Sequence, residues 1–263
     1  MQTFSSDQAV ELAVVQRSGY VESRHSGSAV VLAPDGSVAF SVGAPEETIF
    51  PRSTLKPFQA IASMKAGAAL RGEQVAIAAA SHTGTFDHLD AVSSILKAAD
   101  LGPEALQCPP DWPEDEDTRA WLIRTERGKN RMCMNCSGKH AAFLLACVTN
   151  GWPTDSYLDP VHPLQQLVVE TIEEFSGETV AHLGADGCGA PLTAISLTGL
   201  ARMYSTLGRA ARNIQADARA ATVATSMLDY PEYVQGPGRS NTVVMEELDV
   251  ITKLGAEGVL GLG

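Results

Sequence analysis

Ser53 and Lys56 stand three residues apart in Arg52-Ser53-Thr54-Leu55-Lys56-Pro57. On a helix this spacing puts both on one face, about 4.5 Å apart along the axis. A serine hydroxyl attacks a carbonyl only when a neighbouring base takes its proton. A lysine is such a base only when its ammonium form is destabilised, by burial, by a second cation or by a helix N-terminus. Pro57 disfavours helical geometry at Lys56 and lacks an N–H. The helix is therefore expected to begin near Thr54, with the motif straddling its first turn and Ser53 at the positive end.

Ala80-Ser81-His82-Thr83-Gly84 follows directly on the apolar run Val75 to Ala80. A polar cluster at the end of a buried segment suits an active-site loop. Ser81 or Thr83 reads equally well as the cap of a helix beginning near Phe86. A second lysine stands in Thr252-Lys253-Leu254-Gly255, on a strand before a glycine. Its value lies in partnering Lys56, because neighbouring ammonium groups lower each other's pKa. A serine–lysine pair at this spacing and a strand lysine before glycine are both elements of penicillin-recognising enzymes.

The five cysteines are Cys108, Cys133, Cys136, Cys147 and Cys188. An odd number in a chain this long argues against a disulfide framework and for reduced thiols in a cytoplasmic protein. Cys136 lies in Cys133-Met134-Asn135-Cys136-Ser137-Gly138-Lys139-His140, and Cys188 in Asp186-Gly187-Cys188-Gly189. Thiolates are soft zinc ligands, so these two with a nitrogen donor could form a metal site. A lysine donor is unusual, since it must lose its proton; a metal or strong local positive charge could drive that. Buried free cysteines, or a redox pair at Cys133 and Cys136, are the alternatives. A redox pair calls for a preceding strand, and nothing before Cys133 reads as one.

These residues need a scaffold. Val10 to Gly43 reads as strands, with a hairpin of Ala29–Leu32 and Val38–Val42 around Pro34-Asp35-Gly36. Helical patterns follow over Lys56–Ala69, Leu89–Ala99, Gly138–Thr149, Pro163–Phe175, Pro191–Leu207 and Ile214–Leu228. The acids between Asp111 and Asp117, followed by Arg124, Arg127 and Lys129, read as the solvated start and the basic end of a helix. Val250–Gly255 reads as a strand. Strands at both ends with helices between predict a single α+β unit over residues 1–263 whose two ends share one sheet.

The chain has 263 residues, 44% hydrophobic and 19% charged, which excludes intrinsic disorder. The net charge of −12 argues against nucleic-acid and anionic-membrane partners. No basic start with an apolar stretch marks a secretory signal, and no apolar run approaches a membrane span.

Taken together, the motifs resemble the rhizobial-type (class 3) L-asparaginases of the asparaginase II family. The resemblance runs through Arg52–Ala60, Ala80–Gly84, Asn135–Phe143 and Asp186–Pro191, with shorter echoes at Val21–Gly27, Leu158–Pro163 and Gly255–Gly258. It implies a fold like serine β-lactamases and glutaminases, mainly an antiparallel sheet flanked by helices. It implies hydrolysis of L-asparagine to L-aspartate and ammonia by a homodimer. Two Ser–Lys pairs are implied, Ser53 with Lys56 and Ser81 with Lys253. Ser53 is expected to attack the side-chain amide with Lys56 taking its proton, and Ser81 and Lys253 to relay a proton to the leaving ammonia, the exchange of roles between the pairs being the alternative. Arg52, His140 and Asp186 are candidates to hold the substrate's α-carboxylate and α-amino groups. A zinc ion near the substrate is implied, with Cys136, Lys139 and Cys188 as ligands and no direct catalytic part. Relatives continue well past the equivalent of Lys253, so the last strands of the sheet are expected to be missing, leaving Lys253 on an exposed edge or a frayed end. Competing expectations are a glutaminase or another hydrolase of this fold, an inactive zinc-binding relative, and a thiol hydrolase using Cys136.

Overall fold

The protein is described over residues 2–263 by a computed structural model. Two hairpins open the chain. β1 (Val10–Arg17) pairs antiparallel with β2 (Tyr20–Gly27), and β3 (Ala29–Leu32) with β4 (Val38–Val42). The second is the expected hairpin: Gly36 takes the left-handed φ of +87°, and Asp35 Oδ1 accepts the Ser37 N–H at 2.9 Å. After β5 (Thr48–Ile49), a 3-10 turn over Arg52–Leu55 leads into α1 (Lys56–Lys65). The helix thus begins two residues later than Thr54, and the motif spans the junction, with Pro57 in the first turn where its missing N–H costs nothing.

The middle of the chain is helical: α2 (Glu73–Ala78), α3 (Phe86–Ala98), α4 (Glu116–Arg124), α5 (Ser137–Asn150) and α6 (Pro163–Ser176). Thr85 caps α3, accepting the His88 N–H while the His88 ring takes the Thr85 N–H. Neither Ser81 nor Thr83 is the cap, which removes the bland reading of Ser81. Asp115 caps α4, with Glu116 and Asp117 in its first turn, as the acidic run predicts. α5 is the central helix. Every residue from Ser137 to Cys147 is buried, and the helix packs on α1, α2, α3 and α6. A Cβ at Gly138 would lie 2.1 Å from the Ile77 carbonyl oxygen, so only glycine lets α5 approach α2 this closely.

β6 (His182–Ala185) and β7 (Pro191–Ser196) form a hairpin, and β7 also pairs with β5. The helix expected over Pro191–Leu207 is therefore corrected in its first part. Pro191, Thr193 and Ile195 favour extended backbone, and the six residues of β7 are all buried. Ser196 ends the strand and caps α7 (Leu197–Ala210), accepting the Gly199 N–H at 2.8 Å. Then come α8 (Ala218–Asp229), α9 (Pro231–Val234), α10 (Ser240–Leu248), β8 (Thr252–Leu254) and β9 (Leu260–Leu262).

The fold is α+β and its sheets are antiparallel, as expected, but the two ends of the chain do not share one sheet. The strands form four small sheets: β1–β2, β3–β4, β5–β7–β6 and β8–β9. β3 and β9 both pack on α7, and between them runs a groove of about 1670 Å³ lined by residues including Val31, Leu200, Leu260 and Leu262. The strands do not meet across it. The exposed placement of Lys253 is also corrected. β9 covers one edge of β8, Ile251 and Gly263 exchange backbone hydrogen bonds beyond it, and Lys253 is 0% exposed. Among the described residues, no helix is long and apolar enough to cross a membrane.

Candidate active site

The segment Ala80–Thr83 leaves α2 and is held extended between two others. Ser81 N–H donates to Val234 O at 2.9 Å and Thr83 N–H to Gln235 O at 2.7 Å, while His82 N–H donates to Asn135 O at 3.2 Å. These bonds fix the backbone of Ser81, whose side chain is half-buried. Two lysine amines converge on its oxygen. Lys56 Nζ lies 2.9 Å from Ser81 Oγ and Lys253 Nζ 2.8 Å.

Lys56 Nζ also donates to Ala80 O at 2.6 Å and faces Asn135 O at 3.5 Å. Three oxygens around one nitrogen suit an ammonium with three donors. Ser53 Oγ is not among its partners. The sequence spacing brings Ser53 and Lys56 close, but the lysine reaches across to Ser81. Lys253 Nζ has one further partner, Leu254 O at 2.8 Å. Burial, reinforced by the Lys56 charge and opposed by Cys136, holds the Lys253 amine well below the usual lysine range. Asn241 at the start of α10 clamps this strand, its Oδ1 accepting the Leu254 N–H at 3.0 Å.

Ser53 is half-buried in the 3-10 turn next to Arg52. The Arg52 guanidinium meets Asp186 Oδ1 through Nε at 2.8 Å and through a terminal nitrogen at 2.7 Å. Burial would raise the Asp186 carboxyl, but the Lys139 charge, the Gly187 N–H and Arg52 together hold it below the usual carboxylate value. Arg52 and Asp186 thus lie together as an ion pair beside Ser53.

Cys136, Lys139 and Cys188 also come together, all buried. Lys139 Nζ lies 3.2 Å from Cys188 Sγ. The neighbouring Cys188 thiol lowers Cys136 well below the normal thiol value, against the effect of burial, while Cys136 in turn raises Cys188. Burial pushes Lys139 down, yet the charges of Cys188, Cys136 and Asp186 outweigh it and its pKa is raised. His140 sits behind this group, fully buried. Its Nδ1 meets the Tyr157 hydroxyl at 2.7 Å, and its Nε2 has no hydrogen-bond partner. Two buried sulfurs with the Lys139 nitrogen beside one of them are donors of the kinds that zinc takes. Among the described residues no group of three or more His, Cys, Asp or Glu side chains is arranged for a metal, so a site here needs the lysine nitrogen. Cys133 stands apart from this cluster; burial raises its thiol.

Sequence reasoning missed Asn241 and Glu257. Asn241 belongs to no motif, and its link to Lys253 exists only once α10 packs on β8. Glu257 falls in the Gly255–Gly258 echo, yet nothing in its spacing connects it to Arg52, 3.8 Å away in space.

A search of curated proteins finds no match. The family model of L-asparaginase II matches residues 13–263, which is nearly the whole chain and contains every one of these site residues. The chain belongs to the L-asparaginase II family.

Proposed function

We propose that this protein hydrolyses L-asparagine to L-aspartate and ammonia with Ser81 as the nucleophile. The observation that carries this is the single oxygen of Ser81 between two lysine amines at 2.9 and 2.8 Å. Family membership supports the substrate class, an amide of an acidic amino acid.

Lys253, as the neutral amine, accepts the Ser81 proton while Lys56 donates a hydrogen bond to the same oxygen and steadies the developing alkoxide. Ser81 Oγ attacks the side-chain amide carbon. The tetrahedral intermediate collapses as the proton held by Lys253 passes to the leaving nitrogen, releasing ammonia and leaving a β-aspartyl ester on Ser81. Lys253 then deprotonates a water that cleaves the ester, giving L-aspartate and restoring the serine. Arg52 holds the α-carboxylate by charge-assisted hydrogen bonds, and Asp186 orients the guanidinium. Ser53, next to Arg52 in the 3-10 turn, would position the reacting amide. His140 supports the thiol pair from behind.

Cys136, Lys139 and Cys188 would hold a zinc ion, which when bound would supply fixed positive charge next to the substrate. For the metal to bind, Lys139 must give up its proton.

The test is ammonia release from L-asparagine, with L-glutamine as comparator. Ser81→Ala is expected to lose about 10³-fold or more in kcat, and Ser53→Ala far less. The reverse order moves the nucleophile to Ser53. Faster turnover of glutamine than of asparagine overturns the substrate assignment.

A further inference from the structure

The turn between β8 and β9 is bent against the Ser53 turn. Gly255 makes this approach possible: a Cβ there would lie 2.6 Å from Pro51 O and 3.4 Å from Ser53 N. Two residues further on, Glu257 takes φ 59° and ψ 23°, and across from it Arg52 takes φ 55°. Both are non-glycine residues in the left-handed region, which L side chains rarely adopt. Such conformations persist where the surroundings impose them, and they concentrate at ligand-binding sites. Here they turn two opposite charges toward each other, with Arg52 3.8 Å from Glu257 Oε1.

The two carboxylates beside Arg52 differ in what they have left to offer. Asp186 is 11% exposed and is occupied by two guanidinium nitrogens and the Gly187 N–H, with the Lys139 charge close by. Its charge is already spent. Glu257 is 82% exposed, and among the described residues its one ionic partner is the long contact to Arg52. A free α-amino acid carries a carboxylate and an ammonium on one carbon. Recognising it takes a cation and an anion side by side, each with bonding capacity to spare. Arg52 and Glu257 are such a pair, beside Ser53.

We propose that Glu257 is the specificity residue for the α-ammonium of the substrate, acting alongside Arg52 on the α-carboxylate. This rests on the asparagine reading above and extends it: the site would select amides that carry a free α-amino group. An amide with the same carboxylate but no amino group would gain nothing from Glu257.

Calorimetry with the intact protein tests this using L-aspartate and succinate, which differ only in the amino group. In Glu257→Gln the Kd for L-aspartate is expected to rise about tenfold, equivalent to about 1.4 kcal/mol, while that for succinate stays within about twofold. Turnover should follow, with KM for L-asparagine raised, kcat little changed, and the preference over the des-amino amide succinamate lost. The side chain is exposed, so the exchange leaves the fold intact. An equal change for both acids, or none, overturns the assignment. Tighter binding of both acids also overturns it, because Glu257 would then merely compete for Arg52. A wild-type protein that binds neither acid overturns the asparagine reading and this assignment with it.

Discussion

Ser81, Lys56 and Lys253 come from three distant points of the chain, and none of the separations between them is short enough to be read as a motif. The spacing of Ser53 and Lys56 is local and visible; the bonds of Lys56 to Ala80 O and Ser81 Oγ are not. Two lysines on one oxygen differ in surroundings. Lys56 has three oxygen neighbours, whereas Lys253 is fully buried with its amine shifted down. As a base, Lys253 works only unprotonated, so kcat/KM should rise with pH through its depressed pKa and level off below the ordinary lysine range. Lys253→Arg stays charged and should lose about 10³-fold or more at every pH. A retained acid limb in that variant would assign the limb to another group.

The same shift has a stability consequence. Because the folded-state pKa of Lys253 lies below its unfolded value, the unfolded chain binds more protons between the two. Stability contributed by this residue therefore rises with pH across that window, and below it the buried charge is a full penalty. Urea titrations from about pH 7 to about pH 10 should show a rise that Lys253→Met removes. Parallel curves for the two proteins would contradict a depressed pKa.

At the scale of elements, close approach is the governing requirement. α5 carries Lys139 and His140 and packs on α2, which delivers Ser81; Gly138 allows the contact. Gly138→Ala pushes a methyl into the Ile77 carbonyl and should cost about 2–4 kcal/mol, seen as a lowered urea midpoint. An unchanged midpoint would mean that α2 and α5 can part freely. Most elements were legible in the sequence because their signals are local: Pro163 and Gly177 around α6, Asp115 before α4, the Pro-Asp-Gly turn of the second hairpin. Misreadings arose where one stretch holds two elements. Pro191–Leu207 is a buried strand followed by an amphipathic helix, and its extended half is stabilised by pairing with β5 and β6, partners the segment itself does not contain.

For the whole molecule, the thiol cluster joins segments about fifty residues apart, from Cys136 to Cys188. A metal held there would cross-link α5 to the β6–β7 turn and bind the folded chain alone, so it would stabilise by mass action. Purified protein is expected to contain about one zinc per chain by elemental analysis, with Cys188→Ala near zero. Chelation should lower Tm in the parent and leave the Cys188→Ala variant unmoved. Equal zinc content in both would remove these thiols from the ligand set. The net charge of −12, which argues against polyanionic partners, gives no guidance on the substrate. The selectivity proposed here rests on a few charges around Arg52, which a net sum does not register.

By itself the sequence determined the helices and hairpins with local caps and turns, the reactive residue types and the family resemblance. Capping, turn chemistry and hydrophobic periodicity act over a few residues, and motif identity needs no coordinates at all. Tertiary structure decided which serine receives both lysines, that Lys253 is buried beside β9, that Asp186 is already spent on Arg52 while Glu257 is not, and that the strands of the two ends form separate sheets. Each of these depends on groups from distant segments meeting within hydrogen-bonding or ionic range, and desolvation and charge balance act only after that meeting.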